Sequence, residues 1–286
     1  MRFLTGSDKL TTLRNLLTQS FPASLKVHGA VHHVVRNNPF RLQVLVDQWP
    51  EFTSVMCRPP LEEMTDAADP YMNTYFLFSK NPQNLIQMLK DPNSVNWKQK
   101  LQIQGCQPEL GEVLHDISSS HGSCMQTTSN VLYMKLGTTA TNQVKDQNST
   151  RTTNFHFGAL TLDDAPLVNA EWGFGGNERS KDYIARCIQM FPTICAKKDP
   201  GQKPIGWSLS EQSAEIRMGY TESTYRGQGV FNNIVTRLSA IMTSQGFPIY
   251  CHIASDNTKS QAACMAAGFV PVGRWQQWTF QPRGLI

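Results

Sequence analysis

No run in these 286 residues approaches the roughly 20 consecutive apolar residues of a membrane-spanning helix, so no helical span is expected. Charge of one sign is scarce as well. Lys and Arg number 26 against 22 Asp and Glu, and a balance of +4 is too mild to argue for nucleic acid, although it suits a small polyanionic ligand. The seven cysteines contain no Cys-x-x-Cys pair and, being odd in number, close no disulfide framework, which points to a reducing compartment. His32-His33 has no Cys or carboxylate at ligand spacing, so no metal site is expected. The sequon Asn148-Ser149-Thr150 matters only in a secreted chain, and there is no secretory hydrophobic segment. No glycine-rich turn carries the Lys-Ser/Thr of a Walker A loop. The residue three beyond Gly229 is Asn232, so Gly-x-Gly-x-x-Gly fails too, and triphosphate and dinucleotide readings lose ground.

What the chain does have is Ala214-Glu215-Ile216-Arg217-Met218-Gly219-Tyr220-Thr221, followed by Tyr225-Arg226-Gly227-Gln228-Gly229-Val230. A strand carrying a carboxylate leads into a glycine-rich turn that opens a helix. Glycines on both sides of Gln228 let the backbone curl, so that successive N–H groups and the positive end of the helix point at one anion. The helix itself is announced by Val230, Ile234, Val235, Leu238, Ile241 and Met242 at helical spacing, with Gly246 closing it.

At this length the chain suits roughly two domains of about 150 residues. The polar stretch from Gly137 to Thr153 lacks periodicity and reads as a linker, giving domains 1–150 and 151–286. After it the pattern predicts a strand near Asn154–Leu162, a helix opened by Asp163-Asp164 with Pro166 in its first turn, and a helix through Tyr183, Ile184, Cys187 and Ile188. Strands follow near Thr193–Ala196 and Ile205–Leu209, then the Glu215 strand, the Val230 helix, a strand at Ile249–Ala254, a helix after Asn257 and a last strand pair. The first half predicts a helix to about Ser20, strands near Leu25–Val35, Arg41–Val46 and Tyr75–Ser79, and a helix from Pro82 to Lys90. Its first 46 residues hold one acid, Asp8, against six basic residues, with Leu10, Leu13, Leu17 and Phe21 on one helical face. That fits an acid-poor import signal or an ordinary first helix.

The Arg226 turn resembles the Arg/Gln-x-x-Gly-x-Gly/Ala signature of the GNAT acyltransferase superfamily, with Phe231 where a small residue is usual. Ser24-Leu25-Lys26-Val27-His28-Gly29, Asn38-Pro39-Phe40, Val46 to Phe52, Gly175-Gly176-Asn177-Glu178-Arg179, Gly246-Phe247-Pro248 and Trp275-Gln276-Gln277-Trp278 together resemble the glycine N-acyltransferase family. The resemblance implies an α+β chain, with a GNAT acyltransferase fold in the C-terminal half and a related α/β N-terminal domain. It further implies transfer of an acyl group from an acyl-coenzyme A co-substrate to the amine of glycine, or in some relatives of glutamine, in the mitochondrion. No permanently bound cofactor, metal, nucleic acid or membrane is expected, and the chain is expected to be a monomer.

By this resemblance Glu215 is the general base. Gly219, Tyr220, Thr221, Arg226, Gly227, Gln228, Gly229 and Val230 hold the pantetheine and pyrophosphate, and Asn257 contacts the pantetheine arm. Cys264 falls where many members carry a tyrosine that protonates the departing thiolate. Amide formation needs a neutral amine, and a carboxylate at Glu215 can take its proton directly or through one water. The residues alone also allow Glu215 to be a surface strand residue paired with Arg217 two positions on. Backbone N–H groups from Gly219 to Thr221 are the expected oxyanion donors. Gly175-Gly176-Asn177 is either a helix-opening turn or a lip over the thioester. A relative that uses another acceptor or a long-chain donor, and a catalytically silent coenzyme A-binding paralogue, are the alternative readings.

Overall fold

The computed structural model describes residues 1–136 and 155–284. The expected linker from Gly137 to Thr153, the boundary between 150 and 151 and the sequon at Asn148 lie outside those residues. The elements begin with β1 (Arg2–Phe3), α1 (Ser7–Leu17), α2 (Leu25–Arg36), β2 (Gln43–Val46), β3 (Ser54–Arg58), β4 (Thr74–Ser79), α3 (Pro82–Leu89), β5 (Leu101–Gly105), α4 (Leu110–Ser120) and β6 (Ser123–Met134). They continue with β7 (His156–Gly158), α5 (Ala165–Glu171), α6 (Glu178–Met190), β8 (Thr193–Lys197), β9 (Gly206–Ser210), β10 (Ile216–Thr221), α7 (Val230–Ser244), β11 (Tyr250–Ile253), α8 (Thr258–Ala266) and β12 (Val270–Pro282). Two compact units result. One comprises Met1–Leu132, Gln212–Glu215 and Val272–Ile286, the other Tyr133–Glu211 and Ile216–Pro271.

In the first unit the strands run in the order β1-β2-β3-β4-β5-β12-β6. Strands β4 and β5 run parallel, as the α3 crossover between them requires. Every residue of β4 is buried, which is why Thr74-Tyr75-Phe76-Leu77-Phe78-Ser79 reads as a nearly continuous apolar run. Leu45, Met56, Leu77, Leu85, Leu114 and Trp278 belong to one core cluster beneath α3 and α4. The α3 helix starts as its sequence demands, with Pro82 in the first turn and the Asn81 side chain accepting from the N–H groups of Gln83 and Asn84.

The segment expected as a strand at Leu25–Val35 is the helix α2, packed on β3, β4 and β5. Every residue from Ser24 to His33 is buried, so no polar face breaks the run and the helical period is invisible. The β-branched Val27 and Val31 cost a helix at most roughly 0.7 kcal/mol each, whereas full burial of such a side chain is worth about 1.5–3 kcal/mol. The expected last strand pair is likewise a single strand, β12, whose Gln276–Phe280 pair with Gly105–Leu101. Pro271 and Gly273, which punctuate the sequence there, fall on its exposed early part, where neither breaks the β5 register.

The second unit carries a four-stranded antiparallel sheet in the order β10-β9-β8-β7, with α7 packed on β8, β9 and β10. Its helices open where the sequence signals them. Thr161 and Asp164 form a capping box ahead of α5, and Asn177 and Ser180 form another at the start of α6. Gly175-Gly176-Asn177 is therefore a helix-opening turn: Asn169 Oδ1 accepts from the Gly176 N–H at 3.0 Å and from Ser180 Oγ at 2.6 Å. Among the described residues no helix is long and apolar enough to cross a membrane.

Candidate active site

Glu215 is fully buried, so it is not the surface strand residue that the sequence alone allows. It immediately precedes β10 and belongs to the first unit, in the short segment Gln212–Glu215. Ala214 before it takes a left-handed conformation with φ 61°, a strained state for a residue bearing a Cβ. The Glu215 carboxylate is ion-paired through Oε2 with the ammonium of Lys26, which is also fully buried. Lys26 Nζ donates to Ser213 Oγ at 3.0 Å and lies 5.5 Å from the ring centre of Phe76 and 5.7 Å from that of Trp275. One turn along α2, Gly29 lets the Ser213 carbonyl approach so closely that a Cβ at position 29 would sit 1.7 Å from that oxygen.

The remaining predicted residues fall in the second unit, on β10, the turn after it, α7 and the start of α8. Against β9, Arg217 stands opposite Leu209 and Tyr220 opposite Trp207, so Met218 and Gly219 together face Ser208 alone. This is a β-bulge, with Met218 at φ 55°, and it interrupts the ladder at the position where oxyanion donors were expected. Ser208 Oγ braces the bulge by donating to the Arg217 carbonyl at 3.1 Å. Tyr220 stacks on Trp207 at 4.7 Å, and its phenol is held above its ordinary range by burial and by the charge of Glu171. Phe231, the departure from the usual small residue, packs on the bulge: a Cβ at Gly219 would lie 3.1 Å from its ring.

Arg226, Gly227, Gln228 and Gly229 are all exposed. Gly227 and Gly229 have φ 75° and 77°, left-handed values that explain why glycine stands at both positions. The turn is tied by its own side chains. Arg226 Nε donates to the Thr221 carbonyl at 2.8 Å, and Gln228 Nε2 to that of Thr224 at 2.9 Å. Gly229 then caps α7 with no side-chain hydrogen bond, no acid occupies the first turn, and Val230 is buried beneath it. An exposed helix N-terminus without an internal anion is a ready acceptor of phosphate oxygens. Asn257 caps α8, its side chain accepting from the Ser260 N–H at 3.1 Å. Cys264 is buried, with its sulfur 3.5 Å from that of Cys251. Among the described residues no group of three or more His, Cys, Asp and Glu is placed to hold a metal ion.

The partner of Glu215, Lys26, is not legible in the sequence. Its one visible signal was a lysine set inside the run Leu25-Lys26-Val27, where a solvated cation has no evident place.

The profile of the aralkyl acyl-CoA:amino acid N-acyltransferases matches residues 1–192, and that of the C-terminal region of the same family matches residues 197–282. The chain is 37% identical over 297 residues to a glycine N-acyltransferase of Mus musculus, covering 98% of each chain. It is 36% identical over 301 residues to the glycine N-acyltransferase-like protein 1 of Homo sapiens, covering 100% of this chain and 99% of the relative. In three dimensions it matches the X-ray structure of a Drosophila protein with a TM-score of 0.73 at 13% identity, over 99% of both chains. It matches a GCN5-related N-acetyltransferase-like protein from Streptococcus suis with a TM-score of 0.51 at 10% identity, over 96% of this chain and 99% of the other. The mixed helix and strand architecture is thus the GNAT fold.

Proposed function

Because this chain belongs to the aralkyl acyl-CoA:amino acid N-acyltransferase family, we propose that it acylates glycine, with Glu215 as the general base. It is an acyltransferase that uses an acyl-coenzyme A as co-substrate. The observation that carries the finer reading is the buried Glu215 carboxylate placed immediately before the bulged strand β10, which runs into the exposed glycine turn.

The steps follow from the residues. The pyrophosphate of the thioester rests on the N–H groups between Arg226 and Val230, and the Arg226 guanidinium adds charge there. The bulge at Met218-Gly219 offers backbone donors to the thioester oxygen as it becomes an oxyanion. The glycine nitrogen attacks the carbonyl carbon and a C–N bond forms. The proton lost from nitrogen goes to Glu215, directly or through one water. The C–S bond then breaks and its electron pair leaves with sulfur. A coenzyme A thiol with a pKa near ~8.5 departs as thiolate without an obligatory donor, which agrees with a cysteine at 264. No covalent enzyme intermediate is involved, and the enzyme works as a monomer in the mitochondrion.

The test is thiol release from benzoyl- and acetyl-coenzyme A across amino-acid acceptors. Glycine should give the highest kcat/KM. A preference for glutamine would reassign the acceptor, and no thiol release with any acceptor, despite coenzyme A binding, would identify a silent paralogue. That last reading draws on one observation, the Phe231 ring packed against Gly219.

A further inference from the structure

We propose that Lys26 is a positioning residue for acyl transfer: its buried ammonium keeps the Glu215 carboxylate ionised and oriented although that group is removed from water. The inference rests on the reading of Glu215 as the base. A carboxyl group buried alone favours its neutral form, and a neutral acid cannot accept a proton from the attacking amine. Burial by itself would therefore silence the base. An adjacent cation reverses that preference, and in a dry site its effect is far larger than at a surface.

The surroundings of the pair fit this role. Both charges are completely excluded from solvent and lie on different elements, Lys26 on α2 and Glu215 on the segment ahead of β10. The ammonium is anchored from three directions, by Ser213 Oγ and by the Phe76 and Trp275 rings. Cys106 is a titratable group that faces the pair. Burial pushes its thiol up to about 12, with Lys26 pulling it down and Glu215 pushing it further up, so it stays neutral and offers Lys26 no competing charge. Once the amine has added to the thioester its nitrogen is positively charged and strongly acidic. A carboxylate tempered by a neighbouring ammonium is still basic enough to take that proton.

The experiment compares Lys26→Met, Lys26→Arg, Glu215→Gln and the double variant Lys26→Met/Glu215→Gln in the full chain, by turnover against pH with saturating benzoyl-coenzyme A and glycine. Lys26→Met should lose about 10²-fold in kcat near neutral pH and move the acidic limb of the profile upward by about a unit or more, with benzoyl-coenzyme A affinity unchanged. Lys26→Arg should recover most of the loss. The double variant should be no slower than Glu215→Gln, because Lys26 acts through that carboxylate. An unmoved acidic limb in Lys26→Met, or losses that multiply in the double variant, overturns the proposal. If Lys26→Met fails to fold, the double variant removes both charges and its Tm decides: recovery towards wild type supports the coupling, and no recovery refutes it. A wild-type rate for Glu215→Gln defeats the base reading itself, whereas a slow Glu215→Gln beside a normal Lys26→Met defeats only the role of Lys26.

Discussion

The carboxylate of Glu215 and the turn from Arg226 to Gly229 stand only eleven residues apart at their nearest, yet they are built on opposite principles. One is a charge taken fully out of water and matched by another buried charge; the other is bare, exposed backbone at a helix N-terminus. The contrast suits the tasks proposed for them. A base must hold one ionisation state, which burial and a fixed counter-charge set, while a polyphosphate keeps its own charge and needs only oriented N–H groups within reach. On that proposal, charge that must be regulated is buried, and charge that is merely received is met at the surface.

The largest effect that would break this comparison belongs to the buried half. Glu215→Gln keeps the shape and removes the proposed base, so turnover near neutral pH should fall by about 10²- to 10⁴-fold, with acyl-coenzyme A affinity unchanged. Raising the pH should restore part of the rate, since more of the amine is then free. A pH–rate profile checks both points; a loss of affinity in place of rate would show that the two regions do not divide the work as described. A smaller effect is expected from Gly227→Leu/Gly229→Leu. Left-handed backbone costs a residue with a Cβ roughly 1–2 kcal/mol, and the new side chains would cover the N–H groups, so coenzyme A should bind at least about tenfold more weakly and raise Tm less. Thermal shift with and without coenzyme A separates that loss from the lower stability of the free protein. An undiminished ligand shift would place the phosphate site elsewhere.

The smallest effect concerns a second buried group. His28 on α2 is pushed down from 6.5 to about 3 by burial, then by the nearby His32 and Arg14, so the folded protein keeps it neutral. The unfolded chain binds its proton below the ordinary value, and stability should therefore be intact above about pH 6.5 and lost as pH falls from there towards 3. One unit below 6.5 the loss should be about 1.4 kcal/mol, and His28→Phe should remove that slope from a plot of unfolding free energy against pH. An equal slope in the variant would assign the acid sensitivity to other groups.

What could be read in the sequence divides along the same line. The glycine turn, the α7 periodicity and the capping residues of α5 and α6 are local signals, each written within a few neighbouring positions, and the structure forms all of them. The α2 helix is not legible in the sequence because a segment buried on every side shows no polar face. The setting of Glu215 was invisible for a different reason. Lys26 and Ser213 meet across 187 positions of chain, and no spacing rule reaches that far. The bulge in β10 was equally hidden, since it shows only in the register against β9.

The closeness of Gly29 to Ser213 makes α2 a gauge for the loop that carries the carboxylate. With a Cβ at position 29 only 1.7 Å from the Ser213 oxygen, even alanine must displace either the helix or the loop. A single methyl group, set in a helix to which no reacting group is assigned, would thus be enough to move the proposed base off its mark. Such a lesion would be recorded as a lost activity at a site that touches neither the thioester nor the amine.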